Sequence, residues 1–339
     1  MSSNHPVILF HYPHSPFSAR VLYYLALRGI PYDQCIQPQI LPRSDLARLG
    51  IRYRRIPLLS IGRDVYLDSR LILERLERLG APNPPFASTA TPEQRGLERL
   101  LASFTLDTGL FKSIVQVLLP HTPLLHNEAF LKDRTEMIGA PPGYNFADFL
   151  LAGGADALMA VKGALEVLET TLLADGREWL AGTREPGRAD IEAVWSIQWL
   201  FSVPGALPGE YISARIFPKV FAWVERFEKA VSVAQKGFRR PETFSGEQVA
   251  DILGKAAVSE AADVVDESDP LVRAERLRKG QVVQLWPTDS GSRHKTVGRL
   301  LGLTAREITI ETTGGEVSVR VHAPRQGFRV AALAKANLS

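Results

Sequence analysis

Three short stretches carry the residues best suited to chemistry. The first is His11-Tyr12-Pro13-His14-Ser15-Pro16-Phe17-Ser18-Ala19-Arg20-Val21, which follows a short apolar run and opens a helical pattern. It sets the Ser15 hydroxyl at a strand-to-helix turn. Free backbone N–H groups and the positive end of the helix dipole there favour an anion such as a bound thiolate. The second stretch is Ile56-Pro57, at the start of another apolar run, and the third is Asp68-Ser69, at the start of another helix.

Neighbouring residues narrow that chemistry. Ser18 stands where the second thiol of a Cys-x-x-Cys pair would be, so Ser15 and Ser18 together exclude dithiol redox chemistry. Cys35, the single cysteine, falls in a strand pattern and reads as an inert buried residue. It also excludes an intrachain disulfide and fits a reducing compartment. His11 and His14 titrate near neutral pH, but no partner carboxylate is identifiable, which favours packing or surface roles. His121, His126 and Glu128 have the wrong spacing for helical metal ligation, so no metal site is expected.

The elements that must position these residues follow from periodicity and turn chemistry. Residues 7–10 read as a buried strand, and residues 16–28 as a helix stopped by Gly29. A second strand is expected over 31–36, and a brief helix over 45–49 with Ser44 as its cap. A hairpin turns at Gly62-Arg63-Asp64, and a helix runs from Asp68 to Leu79 with Gly80 closing it. The order βαβαββα predicts a mixed sheet with helices on its faces. Ala81-Pro82-Asn83-Pro84-Pro85 is a linker, and residues 92–236 are almost all helical in pattern. From Gln281 the pattern turns to five short strands over 282–286, 296–303, 307–311, 317–321 and 328–331, which suits a small SH3-like barrel.

The bulk numbers bound the class. With 339 residues, 45% hydrophobic and 23% charged, the chain has material for two or three soluble domains. A net charge of +3 gives no case for a nucleic-acid partner. No run approaches a membrane span and no secretory leader is evident, so a cytoplasmic protein is the expectation.

With those residues in place, the chain resembles the glutathione S-transferase superfamily. The segment from Ser15-Pro16-Phe17 to Gly29-Ile30-Pro31-Tyr32 looks like the start of its serine-type, tau- and omega-like members. Arg55-Ile56-Pro57-Leu58-Leu59 resembles the loop with the family's cis-proline, and Asp68-Ser69 its acidic-Ser pair. Glu178-Trp179-Leu180-Ala181-Gly182 and Ala189-Asp190-Ile191 resemble the loop and capping segment before the family's buried sixth helix. Phe130 to Pro142 also looks like a fungal subgroup with a lengthened second domain. The likeness covers about residues 6–235.

It implies a thioredoxin-like α/β domain over 1–82 that binds glutathione and an all-helical domain over 90–242; the strand pattern adds a linker helix with a small β-barrel over 243–339, a unit outside the likeness. Ser15 would donate to the glutathione thiolate, as the family's residue before this proline does; it also suits a plain helix cap, and the two roles are compatible. The backbone of Ile56, before Pro57, would pair with the cysteinyl part, and Arg55 stands where the family has a lysine that meets a glutathione carboxylate. Asp68 would take the γ-glutamyl ammonium, and Ser69 with its helix N-terminus the adjoining carboxylate. Tyr12, Phe17, Phe104, Phe111 and His121 would line the second-substrate pocket, with Tyr12 the second-ranked hydroxyl donor. Asp190 anchors a buried helix, although Gly187 stands where the family has Ser or Thr.

The implied function is a transferase in which glutathione attacks or isomerises a hydrophobic electrophile, in detoxification or secondary metabolism, within a homodimer. The alternative is a module that kept the fold and lost catalysis, binding glutathione, another ligand or a protein partner; the added β unit gives it weight.

Overall fold

The computed structural model describes residues 5–86, 90–261 and 264–333. Its N-terminal unit runs β1 (Val7–His11), α1 (Pro16–Arg28), β2 (Asp33–Ile36), α2 (Ser44–Arg48), β3 (Leu58–Ile61), β4 (Asp64–Leu67) and α3 (Ser69–Leu76). Local chemistry sets these boundaries. Ser15 caps α1, Pro16 occupies its first turn, and Gly29 at φ +71° ends it by bonding back to the Ala26 and Leu25 carbonyls. β1 pairs with β2 in parallel and with β3 antiparallel, and β3 and β4 form the hairpin.

Two expected boundaries shift. α2 includes Ser44, its cap position falls to Arg43, and no side chain caps it. α3 stops at Leu76 because the Arg78 and Leu79 N–H groups tighten to the Arg75 and Leu76 carbonyls, a narrower turn than α-helix allows.

The helical unit comprises α4 (Pro92–Leu106), α5 (Leu110–Leu118), α6 (Glu128–Met137), α7 (Phe146–Leu151), α8 (Gly154–Val167), α9 (Arg188–Phe201) and α10 (Pro218–Lys236). α9 is almost wholly buried. Its entry is fixed by Asp190, which accepts from Leu180 N, Gly187 N and Trp223 Nε1, each at 2.9 Å. Asp190 thus ties the loop to the helix without a hydroxyl at position 187.

The C-terminal unit contributes α11 (Gly246–Lys255), α12 (Pro270–Glu275), β5 (Val282–Pro287), β6 (Thr296–Leu303), β7 (Glu307–Thr312), β8 (Arg320–Pro324) and β9 (Phe328–Ala332). Five strands are present, the fourth displaced from the expected 317–321. They do not stand apart as a closed barrel. β8 pairs in parallel with β4, Val65 opposite Val321, so one open nine-stranded sheet runs β2-β1-β3-β4-β8-β7-β6-β5-β9. The physical reason is the edge of β4: its unpaired backbone groups accept another strand, and β8 supplies it.

This continuity gives the sheet two cores. Leu9, Leu59 and Tyr66 pack with α1, α3 and the helical unit. Ile8, Phe10, Leu58, Val65 and Leu67 pack with apolar residues of α11 and the C-terminal strands. The alternation along each strand sends successive side chains to opposite faces, so both faces are buried. No helix of the described residues is long and apolar enough to cross a membrane.

Candidate functional site

Strand register brings the three sequence stretches to one place. β1 ends at His11, and its Phe10 lies opposite Leu58, the first residue of β3; Leu58 in turn lies opposite Leu67, the last of β4. The turn after β1, the Ile56–Pro57 peptide before β3 and the Asp68-Ser69 pair after β4 therefore share one end of the sheet. The helices α1 and α3 both begin there.

Ser15 is buried, with 4% exposure. Its Oγ accepts from Ser18 N at 3.3 Å, which leaves the hydroxyl proton free to donate elsewhere. The approach to it bends at His14, which is exposed and adopts φ +63°. His11 turns away into a hydrogen bond with Gln34 at 2.9 Å, and burial lowers its pKa. The Ile56–Pro57 peptide is cis, and Ile56 is buried.

Asp68 sits at φ +66° and accepts from Arg70 N at 2.9 Å, so it caps α3. With ψ at +131° this backbone lies outside the left-handed helical well, a sparsely populated conformation at the start of α3. Ser69 Oγ accepts from Arg20 Nη1 at 2.7 Å. The Arg20 guanidinium also donates from Nε to Glu192 of α9 at 2.8 Å, and both members of that ion pair are fully buried. Ser69 is thereby held in place from the helical unit.

Arg55 lies elsewhere in the bonding scheme. It is ion-paired with Asp289 of the β5–β6 loop, and its Nε and Nη2 donate to the Ser290 carbonyl at 2.9 and 2.6 Å. Tyr53, not among the residues the sequence pattern singles out, is also buried here. Its phenol is fully buried, with Arg55 and Asp68 among the charges acting on it, and burial pushes its pKa above the ordinary value. An Arg-Tyr-Arg-Arg run ahead of Ile56 is the signal that could have drawn attention to it.

The expected second-substrate residues divide. Phe17 meets Phe111 at 4.7 Å and Trp195 at 4.8 Å between ring centroids, and Phe111 stacks on Trp199 at 5.9 Å. These two rings are part of an aromatic seam joining α1, α5 and α9. Tyr12 and Phe104 are half-buried, and His121 is exposed in a short 3₁₀ turn. A surface cavity of about 570 Å³ is lined instead by α6 residues such as Leu131 and Thr135, together with Arg293, and by none of these five.

A family model described as the glutathione S-transferase N-terminal domain matches residues 9–84, the segment that holds all three turns. Residues 9–84 thus form a glutathione S-transferase N-terminal domain. A second model, a domain of unknown function (DUF7962), matches residues 113–236 of the helical unit. Glutathione S-transferase U3 of Arabidopsis thaliana is 32% identical over 91 residues, covering 26% of this chain and 40% of that protein. The match thus spans less than half the length of this curated relative. A GST-like protein from Pseudomonas syringae has the same fold over 98% of this chain and all of its own, with a TM-score of 0.67 and 22% identity. That likeness takes in the C-terminal unit as well. The beta-etherase LigF of Sphingobium sp. strain SYK-6 covers 70% of this chain at a TM-score of 0.50 and 18% identity.

Proposed function

We propose that the protein is a glutathione-dependent transferase in which Ser15 stabilises the glutathione thiolate for attack on, or isomerisation of, a hydrophobic electrophile. The observation that carries this reading is the Ser15 hydroxyl, whose oxygen accepts from Ser18 N at the start of α1, beside the turn shared with Ile56 and Asp68. Donation of the hydroxyl proton, together with the α1 N-terminal amides, favours thiolate over thiol. Ile56 would offer its backbone to the cysteinyl unit beside Pro57. Asp68 would meet the γ-glutamyl ammonium, and Ser69, oriented by Arg20, its carboxylate.

Tyr12, Phe17, Phe104, Phe111 and His121 remain the positions proposed for the second substrate, with Tyr12 the second-ranked hydroxyl donor. The 1–82, 90–242 and 243–339 divisions are proposed as three domains, the first and third of which share one sheet. A homodimer and a cytoplasmic location belong to the same reading; sedimentation tests the first and cell fractionation the second.

A specific observation also favours the binding-module alternative. Ser15 is 4% exposed, and Arg55 is already paired within the chain, both of which suit a closed site. Calorimetry with glutathione separates the two, followed by ultraviolet thiolate absorbance in wild type and Ser15→Ala. Binding with a thiolate signal that Ser15→Ala abolishes supports the transferase. Binding without thiolate supports the module, and absence of binding removes glutathione from both.

A further inference from the structure

The β5–β6 loop, residues 288–295, is a braced structure that reaches across to the segment leading into Ile56. Gly291 N donates to the Met137 carbonyl at 2.7 Å, and a Cβ at Gly291, whose φ is +78°, would come within 2.9 Å of Arg54 Cγ. His294 Nε2 lies 3.1 Å from a Glu136 carboxylate oxygen. At the start of β6, Thr296 Oγ1 accepts from Arg52 N and Tyr53 N at 3.1 and 3.2 Å. The loop is therefore bonded to both other units, and its Asp289 is delivered to Arg55 rather than meeting it by chance.

A guanidinium recognises a carboxylate best through two parallel N–H donors. In Arg55 the Nε–Nη2 edge is taken by the Ser290 carbonyl and the Asp289 carboxylate. We propose that Asp289 is a specificity-determining residue that stands in for the peptide's far carboxylate, so the site accepts γ-glutamyl thiols whether or not that end carries a free acid. This rests on the glutathione reading above. The Asp289 side chain is 68% exposed and that of Arg55 18%. An ion pair at such a rim is weak, so its effect is on ligand discrimination, not on folding.

The test compares glutathione with its glycyl ethyl ester by calorimetry on the full chain. Wild type is expected to bind the two within about twofold of each other. Asp289→Asn, which keeps the side-chain size, is expected to favour the free acid by about fivefold, the scale of one exposed ion pair. Adding Arg55→Gln to that variant is expected to erase the preference. An acid-to-ester ratio equal in wild type and Asp289→Asn overturns the role of Asp289 while leaving glutathione binding intact. Failure of both proteins to bind either compound overturns it together with the glutathione reading. Binding of the acid by Asp289→Asn alone overturns it too, since the wild-type site would then accept neither compound.

Discussion

Arg20 Nη1 donates to Ser69 Oγ across 2.7 Å while the rest of its guanidinium is spent on Glu192. One buried arginine of α1 therefore spans the start of α3 and the middle of the helical unit. Breaking a buried pair by removing one member leaves the other charge without compensation. Arg20→Met is expected to destabilise the fold by about 3 kcal/mol in urea unfolding. The Arg20→Met/Glu192→Met double variant is expected to recover most of that loss, since two apolar chains fill the same space.

Ser15→Ala is expected to lower kcat/KM by about 10²-fold, the usual cost of one donor to a developing or bound anion. It also removes the α1 cap, worth about 1 kcal/mol in thermal unfolding. Ser15→Thr keeps both hydroxyl functions and should retain the thiolate absorbance that Ser15→Ala loses.

The seam between β4 and β8 should give the protein a pH window. His322 Nε2 lies 2.9 Å from Asp64 and its Nδ1 2.5 Å from Glu307, so both ring nitrogens face carboxylates. Burial opposes the imidazolium, but the two carboxylates override it and raise the His322 pKa. Burial likewise opposes ionised Asp64 and Glu307, yet the hydrogen bonds and charge of His322 carry both below their ordinary values. The histidine's share of stability is full below its unfolded pKa of about 6.5 and is lost as pH rises through the higher folded value. The carboxylates' share is present above about pH 4 and is lost as pH falls through their depressed folded values. The melting temperature should thus be highest between about pH 5 and 6.5, and His322→Gln should remove the decline on the alkaline side.

Two glycines should respond with opposite signs. A Cβ at Gly315 would overlap the Gly50 amide, the Arg48 carbonyl and the Leu49 backbone, none of which can rotate aside. Gly315→Ala is expected to cost about 2 kcal/mol. Gly163 lies inside α8 with open space around its Cα. Gly163→Ala is expected to add up to about 1 kcal/mol through helix propensity. Denaturant midpoints of the two variants check both signs.

What the sequence disclosed was what depends on near neighbours. Ser15 before Pro16, Gly29 after Arg28 and the Gly62 turn each fix a boundary with a few residues, and all three stand where the pattern set them. Asp190 was legible as an anchor because the residues it holds, Leu180 and Gly187, lie within ten positions. Hidden from that reading were partners brought together by the whole fold. Nothing near Arg55 points to Asp289, 234 positions away. The five C-terminal strands were visible one by one, but a strand pattern does not say which edge it will join. A closed barrel and an extension of an existing sheet call for the same alternation. Phe17 and Phe111 show the same limit: the rings they meet, Trp195 and Trp199, come from a helix far along the chain.

The pairing of β8 with β4 has a consequence for how the molecule is made. His322 and Asp64 are 258 positions apart, so an emerging chain completes β1 to β4 and every helix of the second unit before the strand that covers β4 exists. Throughout that interval the newborn protein carries a bare strand edge beside an uncovered apolar face, the arrangement most prone to pairing with a neighbour on the same message. A chain cut between Pro324 and Phe328 keeps β8 and loses β9, beside β5, at the far margin of the sheet. One cut before β8 leaves the first domain permanently unfinished. Although translated after both other units, β8 is structurally part of the first.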